Sequence, residues 1–316
     1  MRVGVQFPTW ALDHKIGGKD VGQWAEQAEQ AGFFSLWVAD HLFFPQQAGQ
    51  VASKQTSTAV PPDEQRQLVE MLESWSTLAF AAGRTTRIKL GTLVTGVTLR
   101  HPPLLVKLVN TLDALSNGRA YLGIGAGWEE EEHQRLGIAF PPLAERFERL
   151  EELLQIAVRM WIGEDKPYVG RYYHLSSTAS QSLCVQHPHP PILIGGGGER
   201  KTLRLVAQYA DACNIGTKYG LDGLRHKLAV LREHCQSVNR PYGAIEKTTA
   251  GIFQVTRDGR QGTLSPQAVI ERFAGLAALG FDQVIMLMWG SFDQEAFDIL
   301  ATQVIPVVEK LPVMGR

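Results

Sequence analysis

The residues best suited to chemistry are an adjacent carboxylate and imidazole, Asp40-His41, directly after the apolar run Leu36-Trp37-Val38-Ala39. An imidazole gains and loses a proton near neutral pH, and an aspartate beside it can orient a ring or hold a polar edge of a ligand. The same pair also reads as a helix-capping Asp followed by a hydrogen-bonded loop His. A second candidate is Gly195-Gly196-Gly197-Gly198, set between Pro191-Ile192-Leu193-Ile194 and Glu199-Arg200-Lys201. Four glycines between a strand and a helix let backbone N–H groups approach an anion, with Arg200 or Lys201 adding charge. That favours a phosphate cradle over a merely flexible turn.

A third stretch, Gly123-Ile124-Gly125-Ala126-Gly127-Trp128, ends another apolar run. Its spacing is GxGxG, with Trp128 where a dinucleotide fingerprint needs its third glycine, so a Rossmann assignment fails. Close approach to a flat ligand and a tight turn both remain open there. The following run Glu129 to Glu132 reads as a solvated face or a helix start. Gly91 to Thr98 alternates small and apolar residues, which suits an ordinary strand or a neutral wall for an aromatic ring.

Other chemistries lack a motif. His187-Pro188-His189 has the look of a metal pair, but no carboxylate or third histidine stands at ligand spacing nearby. No GxSxG elbow and no GxxxxGK[ST] loop occurs.

Short β-rich runs alternate with segments of helical period along the whole chain, and these must carry the candidates. The strands are expected at Val3–Phe7, Leu36–Ala39, Ile88–Val94, Ala120–Gly125, Ile192–Ile194, Ala212–Ile215, Thr249–Val255 and Gln283–Met288. Helices are expected between them, among them Glu64–Gly83, Pro142–Trp161, Glu199–Tyr209 and a last one over Asp293–Leu311. Eight strand-helix units in order predict a TIM (β/α)8 barrel, a single domain over residues 1–316 with insertions at about 43–63 and 163–191. In such a barrel the polar residues just after each strand face the active site, which is where Asp40-His41 and the glycine stretches fall. The 163–191 insertion is expected to be a lid.

With 31 Lys and Arg against 32 Asp and Glu, the net charge of -1 supplies no field to attract nucleic acid or an anionic membrane surface. Three widely spaced cysteines make neither a disulfide framework nor a thiolate zinc site, and no run of 18 apolar residues occurs. A cytoplasmic protein acting on a small molecule is expected.

The VGVQFP start, Trp37-Val38-Ala39-Asp40-His41, Ile88 to Val94 with Arg100-His101-Pro102, Ser116-Asn117-Gly118-Arg119, the Gly123 to Trp128 turn and Ile192 to Gly198 together resemble the bacterial luciferase-like monooxygenase superfamily. The resemblance is strongest to the branch that uses the deazaflavin coenzyme F420; other branches use FMN. It implies a TIM barrel and a homodimer. It also implies that His41 faces the cofactor ring as proton donor or acceptor, that Asp40 contacts the cofactor, and that Leu93-Val94 forms a strand bulge, often with a non-prolyl cis peptide, behind the ring. Gly125, Gly127 and Trp128 would line the site, and Gly195 to Gly198 with Glu199 and Arg200 would bind the cofactor phosphate. The family's sugar-phosphate dehydrogenases carry a tryptophan shortly after the Asp-His pair and a glutamate after the Gly-x-Gly turn. Those places correspond here to Pro45 and Trp128, which argues against a glucose-6-phosphate activity.

Overall fold

The computed structural model describes residues 1–9, 16–43, 71–179, 184–260, 262–287 and 294–314. Eight strands run parallel around a closed sheet: β1 (Arg2–Phe7), β2 (Ser35–Val38), β3 (Lys89–Thr92), β4 (Ala120–Gly125), β5 (Ile192–Gly195), β6 (Ala212–Asn214), β7 (Glu246–Ile252) and β8 (Gln283–Leu287). The β1–β8 pairing and the β3–β4 pairing, Leu90 opposite Ala120 and Gly91 opposite Tyr121, leave no free edge. The chain forms a TIM barrel. Its outer helices are α1 (Gly18–Gln30), α2 (Ser74–Arg84), α3 (Pro102–Leu115), α4 (Leu143–Trp161), α5 (Thr202–Tyr209), α6 (Gly220–Ser237), α7 (Pro266–Leu279) and α8 (Gln294–Ile299). A π turn, Leu300–Val304, and a last turn, Ile305–Val308, continue α8. The long helix expected over 293–311 is thus interrupted just before Pro306, whose missing N–H and bulky ring do not fit an unbroken helix.

Side chains alternate between two cores, as strand pleating requires. In β2, Leu36 and Val38 join the large outer core beneath the helices, while Trp37 enters the barrel with Tyr121, Leu193, Ala212 and Ile285. Gly91 in β3 makes room for that indole: a Cβ there would stand 2.6 Å from a Trp37 ring carbon. Arg119 is also structural. Its buried guanidinium donates to the carbonyls of Ala82, Thr85 and Ile88, closing the end of α2 against the start of β3.

The expected elements are present with several shifts. The helix expected over Glu64–Gly83 starts at Ser74, with 71–73 outside it and 64–70 outside the described residues. β7 starts at Glu246, three residues before the expected Thr249, because the buried Lys247 lies 3.3 Å from Asp282 and a paired polar residue can enter a strand. β3 stops at Thr92, before the bulge, and Thr95–Gly96 resumes pairing with β4. The helix expected from Glu199 starts at Thr202, after a turn in which the Leu203 N–H donates to Gly198 O.

The 163–191 insertion does not cover the barrel mouth with its described residues. It connects the end of α4 to the start of β5, and helix-to-strand connections lie at the face opposite the active site. From there a small hairpin, Tyr168–Val169 with His174–Leu175, folds back along α4, burying Tyr168 and Tyr173 against Ile156. His189 stacks on Trp161 with ring centroids 5.0 Å apart, which accounts for one of the paired histidines without a metal. Most of the 43–63 insertion, Pro45 included, lies outside the described residues.

Candidate active site

Three strand ends converge on one cavity. It has a volume of about 160 Å³ and is lined by residues following β2 (Asp40, His41), β3 (Leu93, Val94, Leu99) and β4 (Gly127, Trp128, Glu129), with Glu132 and His133 behind them. Cofactor and ligand pockets are commonly ~300 Å³ or more, so this cavity alone is smaller than a whole cofactor site.

His41 is held from one side. Its Nδ1 lies 3.0 Å from Glu132 Oε2, and the other Glu132 oxygen accepts from the Leu42 N–H at 2.5 Å. Burial alone would raise the Glu132 carboxyl, but His41, the Leu42 N–H and His133 hold it below its ordinary value. An ionised Glu132 therefore fixes the imidazole edge-on, and among the described residues His41 Nε2 has no hydrogen-bond partner. Trp128, half exposed, meets the same ring edge-to-face at 5.4 Å.

Asp40 is fully enclosed. Arg100 clamps both its oxygens, at 2.5 and 3.1 Å, and Thr95 Oγ1 donates to Oδ2 at 2.6 Å. Burial by itself would lower the Arg100 pKa, but Asp40 and Glu73 raise it, so the guanidinium stays charged. Glu73 closes the network by accepting from Arg100 at 2.5 Å. Asp40 is thus a member of the cavity wall whose charge is already matched.

Part of the cavity wall, Leu93, Val94 and Leu99, is apolar. The Leu93–Val94 peptide is cis. The Val94 side chain fits between two strand ends that carry no side chain: a Cβ on Gly125 or on Gly195 would stand 3.0 Å from a Val94 methyl. Glycines from two of the candidate stretches therefore serve first to seat the bulge. Gly127, with φ of +77°, turns the chain toward the short helix Glu130–Leu136, and Arg146 donates to its carbonyl.

The Glu129 to Glu132 run starts a helix, and it is a solvated face only in part: Glu130 is exposed and Glu131 partly so, while Glu129 and Glu132 are each 1% exposed. The mouth of β5 is different. Gly196 has φ of +120°, and Gly197 packs on the Tyr219 ring. Glu199 turns outward, 2.5 Å from Lys227, and Arg200 is exposed. The glycine turn and the histidine cavity sit at the same end of the barrel, joined by Val94, but no residue of the turn lines the cavity.

Sequence reasoning passed over Arg100, Glu132 and Glu129 as site residues. The available signal was weak: Arg100 opens an Arg-His-Pro triplet, and Glu132 lies in a run of four glutamates whose faces only the short helix distinguishes. Among the described residues no cluster of three or more His, Cys, Asp or Glu is placed to hold a metal ion, and no helix is long and apolar enough to cross a membrane.

Comparison with known proteins agrees with this geometry. The chain is 33% identical over 188 residues, 59% of its length and 64% of the relative's, to an uncharacterized protein of Mycobacterium tuberculosis. It is 30% identical over 230 residues to an F420-dependent glucose-6-phosphate dehydrogenase of Kineococcus radiotolerans, covering 72% of this chain and 61% of that one. The chain thus spans somewhat less than two thirds of the length of these two relatives. The F420-dependent tetrahydromethanopterin reductase of Methanopyrus kandleri has the same fold, with a TM-score of 0.77 at 17% identity over 96% of this chain and 98% of the other. Residues 1–261, which include every residue of the cavity and of the glycine turn, match the model of one family, and the chain belongs to it: the luciferase-like monooxygenases.

Proposed function

We propose that the protein is an F420-dependent oxidoreductase that moves a hydride between the deazaflavin and a small organic substrate, with residues 1–316 acting as one catalytic unit. The observation that carries this reading is that the His41–Glu132 pair and the apolar Leu93-Val94 bulge line one cavity. The bulge is a flat, uncharged surface suited to the back of an aromatic ring, and the site fits such a ring because Gly125 and Gly195 leave Val94 room to present it. The F420-dependent relatives support the choice of cofactor.

When bound, F420 supplies the carbon that accepts or gives the hydride. This chain's residues do the rest. Leu93 and Val94 back the ring, and Asp40, already neutralised by Arg100, shapes the wall beside it. His41 Nε2 exchanges a proton with the substrate, its orientation set by Glu132 at Nδ1. Within Gly195 to Gly198 the Gly196 N–H already donates to Asn214 O, so Gly197 and Gly198 are left to offer backbone N–H groups to the cofactor phosphate, with Arg200 the exposed cation beside them. Glu199, engaged by Lys227, is a support of that turn instead of a phosphate ligand.

Among the described residues no Lys or Arg lines the cavity, and Trp128 follows its glycine turn. A sugar phosphate would find no cation there, so the substrate is proposed to be uncharged and partly apolar, unlike that of the glucose-6-phosphate dehydrogenases. The protein is further proposed to be a cytoplasmic homodimer, in keeping with three free cysteines.

The alternative is an FMN-dependent monooxygenase, favoured by the family model's own description. Titrating the purified protein with F420 and with FMN decides between them: micromolar or tighter binding of F420 is expected, and binding of FMN alone would overturn the F420 assignment.

A further inference from the structure

Among the described residues, Glu129 is the one cavity-lining carboxyl that the network around His41 and Asp40 leaves uncommitted. It is 1% exposed, its Oε1 accepts the Glu131 N–H at 3.2 Å, and its Oε2 is buried without a hydrogen-bond partner. Buried polar atoms in folded proteins nearly always have partners, and an orphaned oxygen in a ligand cavity points to a partner supplied by the ligand. Helix capping explains Oε1 but not Oε2.

The surroundings specify the partner. The charged and titratable groups facing Glu129 are Asp40 and His41 from the turn after β2, and Glu131, Glu132 and His133 from the short helix. Asp40 is neutralised by Arg100 and Glu132 is paired with His41, so neither His41 nor Arg100 is free to neutralise Glu129. Burial holds the Glu129 carboxyl above its ordinary range; the Glu131 N–H and His41 oppose this, and the charges of Glu131 and Glu132 reinforce it. A protonated carboxyl offers an O–H donor, whose complement is a neutral acceptor. An anionic group would meet Glu132 and, among the described residues, no cavity-lining Lys or Arg.

We propose that Glu129 is a ligand-contacting residue whose Oε2 donates a hydrogen bond to a carbonyl oxygen of the cofactor ring. This rests on the cofactor reading above. Deazaflavin and flavin rings both carry pyrimidine carbonyls, so either cofactor meets the requirement.

The test compares Glu129→Gln with Glu129→Ala. Glutamine keeps an acceptor for the Glu131 N–H and offers an N–H donor in place of the acid; alanine removes both. Fluorescence titration at pH 7 is expected to give an F420 Kd within about threefold of wild type for Glu129→Gln and about tenfold weaker for Glu129→Ala, the worth of one hydrogen bond. Infrared difference spectra of the cofactor-free proteins supply a second measurement: wild type should show a protonated-carboxyl band at pH 6 that Glu129→Gln lacks. An unchanged Kd in Glu129→Ala, an equal loss in both variants, or a Glu129 that is ionised at pH 6 would each overturn the proposal. If wild type binds FMN and not F420, the cofactor assignment fails, and the same variants titrated with FMN still decide the role of Glu129. If wild type binds neither, both fall. Should Glu129→Ala not fold, the infrared band and the Glu129→Gln titration still decide.

Discussion

The cavity at the mouths of β2 to β4 and the glycine turn after β5 lie at the same end of one barrel, yet they are built on opposite principles. In the cavity, charged side chains are buried and mutually paired: Asp40 with Arg100, Glu132 with His41. In the turn, backbone stands in for side chains, and the charged residues nearest it, Glu199 and Arg200, face Lys227 or solvent. A buried ionic network fixes the position of a reacting group, because each charge would be costly without its partner. An open glycine turn holds a ligand through N–H groups and tolerates change around it. The two regions should therefore respond very differently to mutation.

The largest effect is expected at His41. His41→Ala should lower turnover by about 10²- to 10⁴-fold, as loss of a general acid or base does, while shifting the cofactor Kd much less. Stopped-flow reduction or oxidation of bound F420 checks this, and a wild-type rate would remove His41 from the mechanism. Next is Arg100→Met, which leaves Asp40 buried without its cation. A loss of about 3 kcal/mol in urea unfolding is expected, with binding impaired through the collapsed wall.

The two glutamates three residues apart should then separate by pH. The Glu132 carboxyl is held below its ordinary value of 4.5, so its contribution is present above that value and lost as pH falls through the lowered one. Glu132→Gln should destabilise the protein at pH 7 by about 1 to 3 kcal/mol and flatten its acid limb. Glu129 has the opposite sign. Its carboxyl is held above 4.5, so its folded-state penalty grows as pH rises past that value, and Glu129→Gln should gain Tm relative to wild type between pH 4 and pH 7. Thermal melts across that range check both slopes, and slopes of the same sign would contradict the geometry.

The smallest effect belongs to the turn. Arg200→Ala should change stability by less than about 0.5 kcal/mol, as an exposed unpaired side chain does. It should weaken F420 binding only several-fold, with the difference disappearing at high salt. A loss as large as that of His41→Ala would mean that the turn, and not the cavity, dominates the site.

Much of this was legible in the residues. All eight strands and the mouth position of Asp40-His41 followed from apolar runs and their punctuation, since pleating and helical period leave a local trace. The lid expectation for 163–191 failed on topology: a helix-to-strand connection leaves the barrel at the wrong face, and the hairpin's tyrosines bury against α4 instead. The expectation that Glu199 binds phosphate met a nearer cation, Lys227, on a helix 28 residues away in sequence. The four-glutamate run looked like a solvated face because composition cannot say which side of a seven-residue helix turns inward.

By itself the sequence determined the order of strands and helices, the barrel they close into, the family, and which imidazole stands at a strand end. Those are consequences of short-range pattern. Only the tertiary structure decided that Glu132, 91 residues from His41, orients its ring, and that Arg100, 60 residues from Asp40, neutralises it. It alone left Glu129 with an oxygen to spare. Burial and pairing are properties of neighbours in space, and barrel closure chooses those neighbours from distant parts of the chain.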